Sequence, residues 1–350
     1  MRVLVLAQTF PLNPLDSTAH FMLDFCEGLV KYGNEVFVLL PYHPNLRPKT
    51  FKNFKIITFK YIWPLRFHLL GYGQTLENNQ KFKPFVFILA PFFYIFGALA
   101  LFRAIRQYRI DLMSVHWILP NGFIAGVVNI FTKVPYVISL PGTDVYVARM
   151  NFIFKLMAKF ALKMSNRVVT NSPQLLKDLN TSGLVMAYGV PENHGIREVH
   201  KGVKIAAAGR RVSNKNFEIL LRLEPNAEII TGQSISEFRK KLLGVDILVA
   251  PSIRDKSGNL DDGNVVVLEA MAAGCSVVTS DLPGYRRMIE NGKSGYLVKG
   301  NSYKSVLEKV KKDKALRLRV GREARKRVEK YFTFEKVGDF YTTVFSEITK

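Results

Sequence analysis

In the stretch Leu260-Asp-Asp-Gly-Asn-Val-Val-Val-Leu-Glu-Ala-Met-Ala-Ala-Gly-Cys-Ser-Val-Val-Thr279, two acids, Asp261 and Glu269, stand with seven residues between them. Gly263 and Asn264 lie inside that interval, a short helix is predicted to follow, and Gly274 ends it before a β-branched run. A helix that starts among small residues offers free backbone N–H groups and a positive dipole end to an anion. An acid at its mouth and another about two turns in can hold hydroxyl groups while the N–H groups hold phosphate. That combination suits a sugar nucleotide.

A second group lies upstream. Gly209-Arg210-Arg211-Val-Ser-Asn-Lys215 follows a strand pattern that runs from Lys204 to Gly209. Open α/β sheets bind ligands beyond the carboxyl ends of their strands. There Arg210 could clamp a diphosphate bidentately and Lys215 could act as a point charge. Surface decoration is the competing reading, and the presence of Asp261 and Glu269 in the same half weighs against it. In the first half the candidates are His116 at a strand end, His20 near the start of the first helix, and Asp144 after Gly142 and Thr143. Each has a structural reading beside the functional one: a satisfied core histidine, or a helix cap.

Two sheets are needed to position these groups. Val3–Ala7 is a continuous apolar run, as expected of a strand covered on both faces. Asp16 or Ser17 can cap a helix carrying Phe21, Met22, Phe25 and Leu29 on one face, and Gly33-Asn34 ends it. Strands are predicted at Val36–Leu40, Leu112–His116, Tyr136–Leu140 and Val168–Thr170. The pattern starts afresh at Lys204, with strands at Ala227–Thr231, Ile247–Pro251, Val277–Ser280 and Tyr296–Val298. Strands alternating with helices imply parallel sheets with helices on both sides. Gly189 to Val203, with Pro191, Gly195 and Gly202, reads as the boundary. The expected domains are 1–190 and 200–332, with a final helix, 333–350, packing back on the first.

The chain of 350 residues is 48% hydrophobic and 22% charged, which is globular rather than disordered. Its formal charge of +22 favours anionic partners. Cys26 and Cys275 stand far apart without metal-ligand spacing and read as core thiols, which fits a reducing compartment. From Phe85 to Phe102 no residue is charged, and as a helix the run would be ~27 Å long, close to the bilayer core. A spanning helix would put Val3–Ala7 and Leu112–His116 on opposite sides of a membrane, although both belong to one sheet. Pro91 and Gly97 also interrupt the run. The segment is therefore expected to pack on the sheet, apolar on more than one face. Before it, Arg47, Lys49, Lys52, Lys55, Lys60, Arg66, Lys81 and Lys83 mix with Tyr61, Trp63, Phe67, Phe82 and Phe85. Such a mixture suits a membrane interface or single-stranded nucleic acid; a solvated basic loop is the plain alternative.

The second half resembles the retaining glycosyltransferases of family 4. The residues that carry the likeness are Gly209, Arg210 and Lys215, then Pro251-Ser252, then Asp261 to Glu269 running into Ala270-Met-Ala-Ala-Gly274. Asp281-Leu-Pro-Gly-Tyr285 and Asn291-Gly-Lys-Ser-Gly-Tyr-Leu-Val298 are similar to the segments that follow in that family. In the first half the similar segments are Val115-His116-Trp117-Ile-Leu-Pro-Asn-Gly122 and Ser139-Leu-Pro-Gly-Thr-Asp-Val145. The resemblance implies the GT-B fold: two Rossmann-like, doubly wound parallel-sheet domains facing across a cleft. It further implies that Glu269 holds the donor ribose, that Asp261 faces the donor sugar, and that Arg210 and Lys215 neutralise the departing diphosphate. Backbone N–H groups from Gly263 through Asn264, Val265 and Val266 would help at the helix start. Fixed cations would then replace a metal ion, and no cofactor is implied. The same likeness places Asp144 beside the cleft; Thr143 next to it, His116 as the foremost candidate for an acceptor or sugar contact, and His20 after it are the further cleft candidates.

The chain departs from the family at several points. Asp261 stands where Glu is usual, and Asp262 where Gly is usual. Pro141 replaces a His and cannot donate a hydrogen bond. Asp16-Ser17-Thr18 replaces a Gly-Gly loop, and the stretch from Lys215 to Pro251 is short. The expectation is a metal-independent, retaining glycosyltransferase that uses a UDP-, GDP- or ADP-sugar. Its acceptor would be a lipid-linked or cell-surface glycan, met in the cytoplasm or on the inner face of the cell membrane, at an anionic surface. The alternative is a catalytically silent GT-B binding or partner subunit. Nucleic acid is not expected as a partner, since no recognised motif for it is present.

Overall fold

The computed structural model describes residues 1–72, 83–192, 195, 201–256, 260 and 265–349. The chain divides into two compact units. The first comprises Met1–Thr170, Leu175–Leu184 and Gly338–Lys350; the second comprises Asn171–Gln174 and Val185–Val337.

The first half runs β1 (Arg2–Leu6), α1 (His20–Lys31), β2 (Glu35–Pro41), β3 (Lys55–Phe59), α2 (Lys83–Tyr108), β4 (Leu112–His116) and α3 (Phe123–Thr132). It continues with β5 (Tyr136–Leu140), α4 (Thr143–Arg149), α5 (Phe152–Met164), β6 (Arg167–Thr170), α6 (Pro173–Leu179) and β7 (Leu184–Val185). Its sheet has the order β3-β2-β1-β4-β5-β6-β7, and β1 pairs in parallel with both β2 and β4. β1, β4 and β5 are buried almost throughout, which is why β1 reads as an unbroken apolar run and β4 and β5 carry mostly apolar side chains. Strand order reverses at β1, so right-handed crossovers put α1 on one face and α2, α3 and α5 on the other.

The second half runs β8 (Ile205–Ala208), α7 (Phe217–Leu223), β9 (Glu228–Ile230), α8 (Ile235–Leu243), β10 (Ile247–Ala250) and α9 (Val265–Ala272). Then come β11 (Ser276–Ser280), α10 (Pro283–Met288), β12 (Tyr296–Val298), α11 (Tyr303–Lys312), α12 (Lys314–Tyr331) and α13 (Phe334–Ile348). The sheet order is β12-β11-β10-β8-β9, with β10 parallel to β8 and β11. One core layer joins Leu242, Val267, Leu268, Met271 and Val328; the other joins Leu220, Leu307, Val310 and Val320. α12 meets the turn after α9 at backbone contact: a Cβ on Gly321 would lie 2.1 Å from the Gly274 oxygen.

Residues of α13 from Gly338 onward pack on α1 and β5. A Cβ on Gly338 would lie 2.3 Å from the Gly28 oxygen, so only glycine permits this approach. Tyr341 stacks edge-on against Phe25 at 4.8 Å and shares a hydrogen bond with Ser139 at 2.9 Å. Asn34 donates to Thr342 at 2.8 Å. Cys26 and Cys275 are both free and buried.

Several expectations are corrected. Asp16 does not cap α1: its carboxylate accepts from the Leu12 and Thr18 N–H groups and closes the loop before the helix. Gly33 ends α1 as expected, with a positive φ of 77° and N–H donation to Val30. α2 runs unbroken through Pro91, held by Leu89 and Phe93, which are buried on either side of it. The basic aromatic stretch is not all loop, and several of its aromatics are turned inward. It contains β3, and Phe51, Phe54, Phe59 and Tyr61 are core residues at most 7% exposed. Trp63 stays exposed, while Lys81 and Phe82 lie outside the described residues.

Candidate functional site

The carboxyl ends of β8 and β10 lie side by side in the second sheet, and their loops are tied together. β8 ends at Ala208, and Gly209 turns the chain away at φ 124°, its N–H donating to Ile230 at 3.1 Å. Arg210 and Arg211 follow, both exposed. A helical turn, Ser213–Lys215, then brings Lys215 back beneath the strand end. Lys215 is only 8% exposed, and its stem lies against Gly209: a Cβ there would sit 3.2 Å from Cε and 3.4 Å from Nζ. Glycine is required at 209 for two reasons, its left-handed backbone and this contact.

The Ile253 N–H donates to the Asn214 oxygen at 2.9 Å, and Ser213 donates to Asp255 at 3.0 Å, which joins the loop after β8 to the loop after β10. Ser252, buried, shares a hydrogen bond with the Tyr285 hydroxyl at 3.1 Å. The chain after β10 folds back at an antiparallel bridge, Arg254 to Leu260, before α9 begins. Among the described residues, Asn214 Oδ1 is buried without a hydrogen-bond partner. Asp261, Gly263 and Asn264 lie outside the described residues; Val265 and Val266 open α9 and pack on the core.

Glu269 is the fifth residue of α9 and 3% exposed. Arg239, on α8, grips its carboxylate: Nη2 donates to Oε1 at 2.8 Å, and Nε to Oε2 at 3.1 Å. The sequence reading gave this carboxylate to ribose hydroxyls and left Arg239 out. A carboxylate has about four lone-pair directions, so an arginine fork takes part of its capacity. Nothing in the spacing announces the pair, because it joins neighbouring helices. The local signal that α8 begins at Ser234 was present, a capping box with Glu237.

In the first unit, the candidates at the strand ends are turned inward. His116 is fully buried, with its ring 4.7 Å from Phe25 and its Nε2 3.3 Å from the Ser114 hydroxyl. Burial pushes the ring down to about 3, so it is neutral. The candidate for an acceptor or sugar contact is thus a buried, neutral ring in this structure. His20 is likewise tied into α1: Nδ1 lies 3.0 Å from the Asp16 oxygen and Nε2 lies 3.7 Å from Asp24. Asp144 accepts from the Ile118 N–H at 2.6 Å and the Gly142 N–H at 3.1 Å, which fixes the turn after β4 to the start of α4. Burial pushes its carboxyl up to about 6, against those N–H groups, which pull it down. Thr143, half-buried, is the first residue of α4.

The family of glycosyl transferases group 1 matches residues 153–327, half of the chain, and the glycosyl transferase 4-like family matches 15–172. The chain belongs to the group 1 glycosyl transferases. Among its relatives, this glycosyltransferase is 25% identical over 193 residues to the capsular polysaccharide biosynthesis glycosyltransferase CapM of Staphylococcus aureus. That match covers 52% of this chain and 47% of CapM, about half of each. It is 22% identical over 292 residues to the N-acetyl-alpha-D-glucosaminyl L-malate synthase of Bacillus anthracis, covering 70% of this chain and 77% of that one. Among solved structures, the sucrose-phosphate synthase of Thermosynechococcus elongatus superposes with a TM-score of 0.77 at 14% identity, over 99% of both chains. HepE of Anabaena in complex with UDP-glucose gives 0.71 at 13% identity, over 99% of this chain and 100% of that one. At such identities these likenesses establish the fold: the glycosyltransferase has the two parallel-sheet units of GT-B.

Proposed function

We propose that this glycosyltransferase moves a sugar from a nucleotide-sugar donor, bound at the carboxyl ends of β8 and β10, to a glycan or lipid-linked acceptor at an anionic membrane surface. The observation that carries the donor reading is Lys215 packed against Gly209 at the end of β8, with Arg210 exposed beside it. Two fixed cations there would stabilise the charge that grows on a departing diphosphate, so no metal need take part. Glu269, held by Arg239, would present its remaining acceptor capacity to the ribose, and Asp261 would face the donor sugar. Solved relatives of the same fold carry UDP, UDP-glucose or ADP, which supports a nucleotide donor. Retention of configuration is part of the reading and rests on the motif from Asp261 to Glu269.

Calorimetry against UDP-, GDP- and ADP-sugars, followed by donor hydrolysis and transfer assays, tests the reading. Saturable binding of one of them, turnover that survives a chelator, and a retained anomer by NMR are expected. Binding without hydrolysis or transfer would favour a second reading, a silent partner subunit, for which the Arg239 grip on Glu269 is the supporting observation.

A further inference from the structure

α2, α3 and α5 form one layer on the first sheet, and none of them contains an Asp or Glu, although the chain has 28. The outward side of that layer is unusually apolar. On α2, Ile88, Phe92, Ile95 and Leu99 follow at steps of four, three and four, and all are 45–62% exposed. Those steps place them on one stripe. Arg103 and Arg106, both exposed, continue the stripe into the last turns. α5 repeats the arrangement: Phe152 (73% exposed) and Leu156 (49%) lead, and Lys159 and Lys163, exposed, continue the stripe. Beside that stripe Ile153 is 66% exposed, and on the neighbouring α3 Phe131 is 73% exposed. α2 and α5 both cross from strand carboxyl ends to amino ends, so they run in the same direction. Their apolar halves therefore lie toward the carboxyl edge of the sheet, and their cationic halves toward the opposite edge.

A continuous apolar face with only cations on it is poorly suited to water and matches an anionic surface with an apolar interior. We propose that the outer face of α2, α3 and α5 docks on an anionic lipid bilayer. Ile88, Phe92, Ile95, Leu99, Phe152 and Ile153 enter the boundary between headgroups and acyl chains, and Phe131, near the end of α3, enters it beside the cationic halves. Arg103, Arg106, Lys159 and Lys163 lie on the lipid phosphates. The docked face brings the carboxyl edge of the sheet, where open α/β sheets bind ligands, close to the lipid. The inference rests on the membrane-proximal acceptor proposed above and moves the contact from the basic stretch before α2 to these helices.

The test is co-sedimentation of the full chain with phosphatidylcholine vesicles, with and without phosphatidylglycerol, at low and high salt. Three variants are compared with the unaltered chain: Phe131→Ser/Phe152→Ser/Ile153→Ser; Arg103→Ser/Arg106→Ser/Lys159→Ser/Lys163→Ser; and, as a control of equal charge change, Lys309→Ser/Lys312→Ser/Lys314→Ser/Arg319→Ser. All these residues are exposed, and thermal unfolding monitors folding of each variant. The expected result is binding to anionic vesicles at low salt that falls about tenfold or more in each of the first two variants and about twofold or less in the control. Four results would overturn the proposal: no binding by the unaltered chain, equal binding to neutral vesicles, undiminished binding by the first two variants, or an oligomer that the first variant disperses without any lipid binding. Calorimetry with the nucleotide sugar on the same samples separates the two readings. Donor binding without vesicle binding removes the docking face alone; vesicle binding without donor binding removes the donor site alone.

Discussion

The carboxyl edges of the two sheets are built on opposite lines. At the first, the ionisable groups His116 and Asp144 are buried and spent on the protein's own packing and backbone N–H groups. At the second, Arg210 projects from the strand end, Lys215 lies folded beneath it, and an ion pair, Arg239 with Glu269, crosses between helices. One edge holds its ionisable groups in neutral or backbone-bonded burial; the other carries its charge on side chains at and beside the strand ends. The difference teaches that a titratable residue at a strand end can be taken up by the protein's own packing, which its place in the sequence does not announce.

The strongest way to break that contrast is Glu269→Ala. It leaves the guanidinium of Arg239 without its carboxylate, and breaking a buried pair costs about 3–5 kcal/mol. Donor affinity by calorimetry should fall by about 2–4 kcal/mol as well, since a charged acceptor is lost. The double variant Glu269→Ala/Arg239→Met should regain stability without regaining affinity. Recovery of both would make Glu269 a counter-ion and nothing more. Next come Arg210→Ala and Lys215→Ala, which should lower kcat more than they raise KM and be less than additive together. A rise in KM alone would leave the two cations as binders without a part in diphosphate departure. Gly209→Ala should do less: strain of ~1–3 kcal/mol at φ 124°, and a smaller loss of kcat as the Lys215 stem is pushed aside.

The smallest effect concerns the first edge, and its sign is specific. Asp144 has a folded pKa raised to about 6, so its stabilising protonation is complete below its ordinary range and is lost as pH rises through about 6. His116 is depressed to about 3, so the folded state resists its protonation and loses stability as pH falls below about 6.5. Between pH 4 and 6 the two slopes oppose each other. Urea unfolding across that window should show a stability that rises more steeply with pH in Asp144→Asn than in the unaltered chain. An unchanged slope would mean that Asp144 is ionised at the first edge as well, and the contrast between the edges would fail there.

The strands that a sequence reader finds are those covered on both faces. Leu112–His116, Tyr136–Leu140 and Tyr296–Val298 carry little but apolar side chains, and the structure has them at those bounds. β3 was invisible because little of it is covered: Lys55 and Thr58 face solvent, Ile56 and Ile57 are half-covered, and only Phe59 is buried. The aromatics around it were read as surface for the same reason, since their partners Phe10 and Phe93 are remote in sequence. At the site, Gly209, Arg210 and Lys215 were legible because one short loop holds them. Arg239 was not, because its partner is thirty residues away on another helix. His116 looked available because a strand end says nothing of what later elements lay over it.

The final helix gives the molecule a schedule. Gly338–Lys350 belongs to the first unit, yet Val185–Val337 must be synthesised before it. At about 5–20 residues per second a ribosome spends roughly 8–30 s on that interval. Throughout it, the face of α1 that will receive Tyr341, including Phe25 and the backbone at Gly28, has no cover from α13. The first unit to emerge is therefore among the last to be finished, and a nascent chain halted between the two units would display that apolar seat to whatever chaperone or neighbouring chain is at hand.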